Sequence, residues 1–441
     1  MSKFSLPESS PLLEPKFLFG VATSSFQIEG ALDSRDRCIW DTFCEKDGAV
    51  IDKSNGSVAC EHYERWEEDV ELVESMGFKA YRLSISWPRV VKQDGSLNQA
   101  GITFYKNLLI KLQKSDIKAF VTLYHWDLPQ HLEDKGGWLN RDTAYAFQDY
   151  TKAVVKEFQG LVYSYATLNE PFCSSYLGYE IGTHAPGITG RKYGRQAAHH
   201  LLLAHGLAMD VLSKHSPNTE NGIVLNFTTA YAFSESDELA AERANQYFNH
   251  WYAKPLFDAT YPEVIDDLDD QDKPIIKEGD FDIIAHPLDF LGVNYYTRTV
   301  YKDDNNGWFE EHPISKCERT DIGWEVYPDG LTKILTQLNE RYNLPPIYIT
   351  ENGAAIHDNV KDGKVVDPRR IEYYNMHLNA VNVAIEKNVI IKGYFAWSLM
   401  DNFEWAEGYT QRFGIVYVDF ETQVRTIKDS GYAFKQLLKS R

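Results

Sequence analysis

VYSYATLNEP, residues 162–171, is an apolar and aromatic run that ends in a carboxylate, Glu170, with proline immediately after it. Proline cannot donate to a sheet ladder, so a strand stops here and Glu170 sits at its carboxyl end. PPIYITENG, 345–353, has the same form, a β-branched strand running into Glu351 and then Asn-Gly. Outward from these two, six further apolar runs read as strands, at 17–24, 79–86, 118–125, 222–227, 289–296 and 391–398. Between them lie amphipathic segments at 63–76, 102–114, 143–158, 237–252, 329–342 and 369–387, with apolar positions three and four apart. Near-continuous apolar strands alternating with such helices make a parallel sheet with right-handed crossovers. Eight units suggest closure, so the expected fold class is α/β, a single (β/α)₈ TIM barrel with elaborated βα loops. The alternative is an open doubly wound sheet, which normally carries a Gly-rich phosphate turn after its first strand; G-x-G-x-x-G is absent here. No repeat, low-complexity tract or Pro/Gly/Ser linker divides the chain, which reads as one domain over residues 1–441.

The 441 residues are 43% hydrophobic and 25% charged, enough to bury a large core without a disulfide or metal staple. Aromatics reach 14%; core packing explains most of them, although aromatic faces also stack on sugars. A formal charge of −19 repels nucleic acid and anionic membrane and disfavours a strongly anionic substrate. Cys38, Cys44, Cys60, Cys173 and Cys317 are an odd, scattered set with no C-x-x-C, as expected of reduced thiols in a cytoplasmic protein. The first twenty residues have no apolar core of a signal peptide, and no stretch is long enough to span a membrane. Nothing in the sequence sets an oligomeric state.

A barrel of this type carries its active site at the carboxyl ends of its strands. Those ends offer Gln27 after the first strand, Arg82 within the second, His125 and Trp126 after the third, and Asn169 and Glu170 at the fourth. The sixth offers Asn294 and Tyr296, the seventh Glu351 and the eighth Trp397. Any one of them also reads as a strand-ending hydrogen bond or a packed core residue. Their convergence at seven of eight ends is what points to a polyhydroxylated ligand. Two carboxylates facing each other across a cleft fit several reactions. Metal chemistry wants His and carboxylates at ligand spacing, yet His199, His200 and His205 share no i, i+4 pair and no H-E-x-x-H occurs, so no metal or cofactor is expected. G-x-S-x-G is also missing. Glycosidic bond cleavage remains, in which one acid protonates a leaving oxygen and a second carboxylate attacks or activates water.

TLNEP (167–171) and ITENG (349–353) resemble the two signature sites of glycoside hydrolase family 1, the retaining β-glucosidases. The resemblance extends through FQIEGA (26–31), YRLSISWPR (81–89), TLYHWDLPQ (122–130), GTHAPG (182–187), LGVNYYTR (291–298), WEVYPDGL (324–331) and WSLMDNFEW (397–405), all in the family's order. It implies Glu351 as nucleophile and Glu170 as acid/base. Arg82 and Tyr296 would be an ion partner and a hydrogen-bond donor to Glu351. Glu170, with no basic residue in its motif, would be raised towards about 6, as catalytic acids are. Retention of configuration implies carboxyl groups about 5–5.5 Å apart. Asn169 would bond the sugar 2-hydroxyl, and Gln27, His125, Trp126, Glu404 and Trp405 would form the glycone pocket over Trp397, with Trp324 on the leaving-group side. Trp397 and Trp405 also read as core, and Trp324 as a loop anchor.

Many family members carry Trp after NEP where this chain has Phe172, which bears on the aglycone channel. Relatives acting on 6-phosphorylated sugars carry Ser, Lys and Tyr where this chain has Glu404, Gln411 and Phe413, so plain β-glucosides are expected. The implied substrates are cellobiose, short cello-oligosaccharides and aryl β-glucosides, with galactoside, fucoside and transglycosylation side activities and a role in cellulose breakdown. Two other readings remain: an inactive sugar-binding relative, which would typically lack one carboxylate, and a 6-phosphoglycosidase.

Overall fold

Each of the eight apolar runs forms a strand: β1 (Leu18–Ala22), β2 (Ala80–Ser84), β3 (Lys118–Tyr124), β4 (Ser164–Asn169), β5 (Glu220–Asn226), β6 (Phe290–Asn294), β7 (Ile347–Asn352) and β8 (Ile391–Trp397). In the computed structural model, which describes residues 3–441, all pair in parallel with their neighbours in sequence. β8 pairs back onto β1, with Ala22 opposite Trp397, and the barrel is closed. Closure leaves no strand edge to protect.

The crossover helices lie where the 3.6-residue pattern puts them: His62–Met76, Gln99–Lys114, Asp142–Glu157, Pro328–Arg341 and Pro368–Glu386. Proline at the first turn starts the last two, where its missing N–H costs nothing. After β5 the chain is helical from Glu238 to Asp258 through a π-helical turn at Gln246–His250, six residues beyond the expected end. Two further helices complete the ring, Arg191–His215 after β4 and Asp429–Lys439 after β8. Arg191–His215 is buried almost continuously from Gly194 to Leu212, so it lacks the polar face that marks a surface helix.

One side chain from each strand fills the pore: Ala22, Ala80, Phe120, Ala166, Val224, Phe290, Tyr348 and Phe395. The small residues on β1, β2 and β4 make room for the rings of the other strands. Phe120 meets Phe395 at 4.9 Å and Tyr348 at 5.2 Å, edge to face. Trp397 and Phe413 belong to the same buried cluster, with Tyr296 and Trp324 packed on it. The pore core therefore continues upward into the floor of a cleft at the carboxyl ends of the strands. Among the described residues no helix is long and apolar enough to cross a membrane.

Candidate active site

The two glutamates emerge where their strands are irregular. The register of β4 against β5 shifts between Ala166 and Asn169, and that of β7 against β6 shifts between Ile349 and Glu351. Such irregularities bend a strand and re-aim the side chains beyond. Glu170 then takes φ +46°, and the cleft residues Trp126 and Trp405 take +78° and +50°. Side-chain-bearing residues in this left-handed region cost about 1–3 kcal/mol each, and such strain clusters at functional sites. Gly353 has a different reason to be there: a side chain on it would strike the Trp397 carbonyl, so the turn after Glu351 needs glycine.

The carboxylates have unlike partners. Glu351 Oε1 accepts from the Arg82 guanidinium at 2.6 Å and Oε2 from the Tyr296 hydroxyl at 2.6 Å, all three groups being largely buried. Burial and the Glu351 charge push the Tyr296 phenol well above its usual range, so it stays a donor. Arg82 also donates to Asn169 Oδ1 at 2.7 Å. Glu170 Oε1 accepts from the Asn294 amide at 2.6 Å, and Oε2 from the Cys173 thiol at 3.0 Å. Asn294 also reaches Asn169 Oδ1 at 3.1 Å, and its own oxygen accepts from Thr350 at 2.7 Å. One continuous network thus ties the two glutamates together through Arg82, Asn169 and Asn294.

Burial first, and the Glu351 charge second, push Glu170 up to about 8, beyond the value expected from its motif. Glu404 is also raised to about 8, by burial and then by Glu351 and Glu170. A carboxyl raised this far can donate as well as accept a hydrogen bond near neutral pH. His125 is held well below its ordinary range by burial and then by Arg82. Its Nε2 pairs with Asn169 Nδ2 at 3.0 Å, which leaves the proton on Nδ1.

A cleft of about 780 Å³ joins these groups. Glu170, Glu351, His125, Trp126, Asn294, Tyr296, Trp324, Trp397, Glu404, Trp405 and Phe413 all line it. Gln27, Arg82 and Asn169 do not; they stand behind its wall and hold others in place. Gln27 is fully buried and donates to Asn402 Oδ1 at 3.0 Å, the Phe403 carbonyl at 2.8 Å and Glu404 Oε2 at 3.3 Å. The Trp126 indole N–H is committed to the Asn169 carbonyl at 2.9 Å. Trp324 packs 5.2 Å from Tyr296 and 6.0 Å from Phe413. Phe172 lines the cleft with its ring stacked 5.0 Å from Tyr176. Sequence reasoning missed Cys173, read only as a scattered thiol, and Asn226 at the end of β5; both line the cleft. For Asn226 the available signal was its place at a strand's carboxyl end. Among the described residues no cluster of His, Cys, Asp and Glu could hold a metal ion.

The sequence matches the family described as Glycosyl hydrolase family 1 over residues 10–441. It is 45% identical over 432 residues to a β-glucosidase of an Agrobacterium species, covering 96% of this chain and 94% of that protein. The solved β-glucosidase of Exiguobacterium antarcticum superimposes with a TM-score of 0.93 at 42% identity, covering 97% of this chain and 98% of that one. That of Thermotoga maritima in complex with glucoimidazole does so with a TM-score of 0.94 at 41% identity, covering 99% of each chain.

Proposed function

The chain belongs to glycosyl hydrolase family 1 and is a β-glucosidase, and from that premise we propose how its residues carry out a retaining double displacement. Glu351 attacks the anomeric carbon while Glu170 gives its proton to the departing glycosidic oxygen. A glycosyl–Glu351 ester forms and the alcohol leaves. Glu170, now a carboxylate, takes a proton from water, which attacks the anomeric carbon and releases glucose with its β configuration restored.

The observation that carries this assignment is the unlike surroundings of the two carboxyls. Glu351 has a cation and a phenol on its two oxygens, contacts that suit a charged nucleophile. Glu170 has neutral partners and is raised to about 8, which suits a proton donor at neutral pH. Activity on substrates whose leaving group needs a proton should therefore fall on the alkaline side as Glu170 ionises, near pH 8.

The glycone sits over Trp397 with Glu404, His125 and Trp405 around its hydroxyls. His125 Nδ1 is buried without a protein partner, as suits a donor kept for a ligand hydroxyl. Gln27 works through Glu404. A 6-phosphate would add negative charge beside Glu404, and the nearby cations are engaged: Arg82 by Glu351, Arg298 by Glu325, and Arg319 by the Gly323 and Ile314 carbonyls. Plain β-glucosides are therefore the substrates: cellobiose, short cello-oligosaccharides and aryl β-glucosides, with β-galactosides and β-fucosides as side substrates. Sugar hydroxyls replace water at the ester in transglycosylation. Five free cysteines, three of them buried, support a reducing cytoplasmic setting, where the enzyme would act in cellulose breakdown.

The test is Glu351→Gly. Hydrolysis of an aryl β-glucoside should fall roughly 10⁵-fold, and azide should restore turnover to the α-glucosyl azide, the inverted product. Wild-type activity in this variant, or a rescued product of β configuration, would remove Glu351 from the nucleophile's place.

A further inference from the structure

The two oxygens of Glu170 are treated differently. Oε1 faces the Asn294 amide, which is locked in place because Thr350 occupies its oxygen. An amide N–H only donates, so Oε1 remains an acceptor and the acid's proton belongs on Oε2. The partner of Oε2 is the Cys173 thiol, 8% exposed and on the cleft wall. Cys173 opens the π-helical turn Cys173–Glu180, and its backbone N–H donates to the Glu170 carbonyl at 2.9 Å. Thiol and carboxyl are therefore held on one tight turn.

A carboxyl that loses and regains a proton in every cycle needs a partner compatible with both states. A thiol is a weak donor and a weak acceptor, so it bonds the carboxylate yet yields when Oε2 is protonated. Burial and the neighbouring Glu170 push this thiol well above its ordinary range, so it does not lose its own proton.

We propose that Cys173 is a positioning residue for Glu170, marking Oε2 as the oxygen that exchanges the proton and binding it weakly enough for exchange. The proposal rests on the reading of Glu170 as the acid/base. A serine hydroxyl in the same place would donate more strongly and favour the carboxylate; alanine would donate nothing. The other groups facing Glu170 are the same in all three cases. Glu351 on β7 and Glu404 after β8 oppose its ionisation, and Arg82 on β2 favours it. Tyr296 is engaged by Glu351, and His125 just after β3 and His184 in the loop after β4 are held neutral, both by burial and His125 also by Arg82.

The experiment is the pH profile of kcat/KM on a phenyl β-glucoside with a poor leaving group, for the wild type, Cys173→Ala and Cys173→Ser. A donor to the carboxylate lowers the pH at which Glu170 ionises. Removing it in Cys173→Ala should move the alkaline limb up by about 0.5–1 pH unit, and the stronger donor in Cys173→Ser should move it down by a similar amount. On a dinitrophenyl β-glucoside, whose phenolate leaves without a proton, kcat/KM, which reports glycosyl–enzyme formation and not the later base-assisted step, should stay within about twofold of wild type for both variants. A thiol that merely fills space would give no such opposed pair. Limbs that move together, or not at all, overturn the proposal. Glu170→Ala run alongside keeps the two readings apart. A loss of kcat/KM confined to the poor leaving group, with azide yielding the β-glucosyl azide, upholds Glu170; full activity there on the phenyl glucoside overturns the acid/base reading itself.

Discussion

Two buried ionic clusters, one in the loops after β7 and β8 and the other at the carboxyl ends of the barrel strands, are built on opposite rules. In one, Asp358, Asp367 and Asp401 meet Arg370, Arg412 and Lys428, three charges against three. Lys428 reaches Asp358 at 2.5 Å and Asp401 at 2.8 Å, Arg370 reaches Asp358 at 2.8 Å and Asp367 at 2.7 Å, and Arg412 reaches Asp401 at 2.6 Å. In the other, Glu170, Glu351 and Glu404 share one guanidinium, Arg82, which touches Glu351 alone among them. Both clusters are removed from water, so burial by itself does not make a carboxyl reactive. Charge balance does. Where every carboxylate has its cation the network joins two loops. Where cations are short, burial first and the neighbouring carboxylates second drive two of three carboxyls up to about 8.

The sharpest way to break that contrast is to remove the cation from the unbalanced cluster. Arg82→Met leaves Glu351 beside two other carboxyls with no countercharge, and it also releases Asn169. We expect kcat/KM to fall about 10³-fold, with thermal unfolding much less affected than the rate. Removing a cation from the balanced cluster should do the reverse. Lys428→Met leaves Asp358 and Asp401 short of a partner in a fully buried place. The expected cost is about 3–5 kcal/mol of stability, or roughly 3–5 °C in Tm for a chain of this length. Activity per folded molecule should stay within about twofold. A Lys428 variant that loses activity at an unchanged Tm would erase the distinction between the clusters.

How far this contrast was legible in the sequence depends on distance along the chain. Eight strands were readable because buried parallel strands are near-continuous apolar runs, and Glu170 and Glu351 because each follows such a run directly. Arg191–His215 was not read as a crossover because it is buried almost all round, and Asp429–Lys439 offers only three turns. The balanced cluster draws on six residues spread over 358–428, of which only Asp401 falls in a family motif, WSLMDNFEW. Cys173 was visible only as a thiol, because its meaning is the 3.0 Å contact with Glu170. The register shifts and the left-handed backbone at Glu170 are set by how neighbouring strands close the barrel, which no local stretch encodes. Gln27, Arg82 and Asn169 were found by motif, yet their place behind the cleft wall required coordinates.

The smallest expected effect probes the unbalanced cluster by taking away an ionisable carboxyl. Glu404→Gln keeps the size of the side chain and leaves an amide where Gln27 and a sugar hydroxyl now meet a carboxyl. A hydrogen bond involving a charged group contributes about 1.5–3 kcal/mol, so kcat/KM should drop by about 10–100-fold. The pH profile should move as well, and its sign follows from the charges. Glu404 and Glu170 both titrate near 8, and each ionises less readily once the other has done so. With glutamine at 404 nothing at that position opposes the ionisation of Glu170, so its proton is lost earlier and the alkaline limb shifts to lower pH. Discrimination against a 6-phosphorylated glucoside should narrow at the same time, without vanishing, because the lysine counter-charge is still missing at Gln411. Paired profiles on plain and phosphorylated aryl glucosides measure both effects. An alkaline limb that rose instead would mean that Glu404 does not carry charge beside Glu170 at all. The raised acid would then be explained by its own burial and by Glu351.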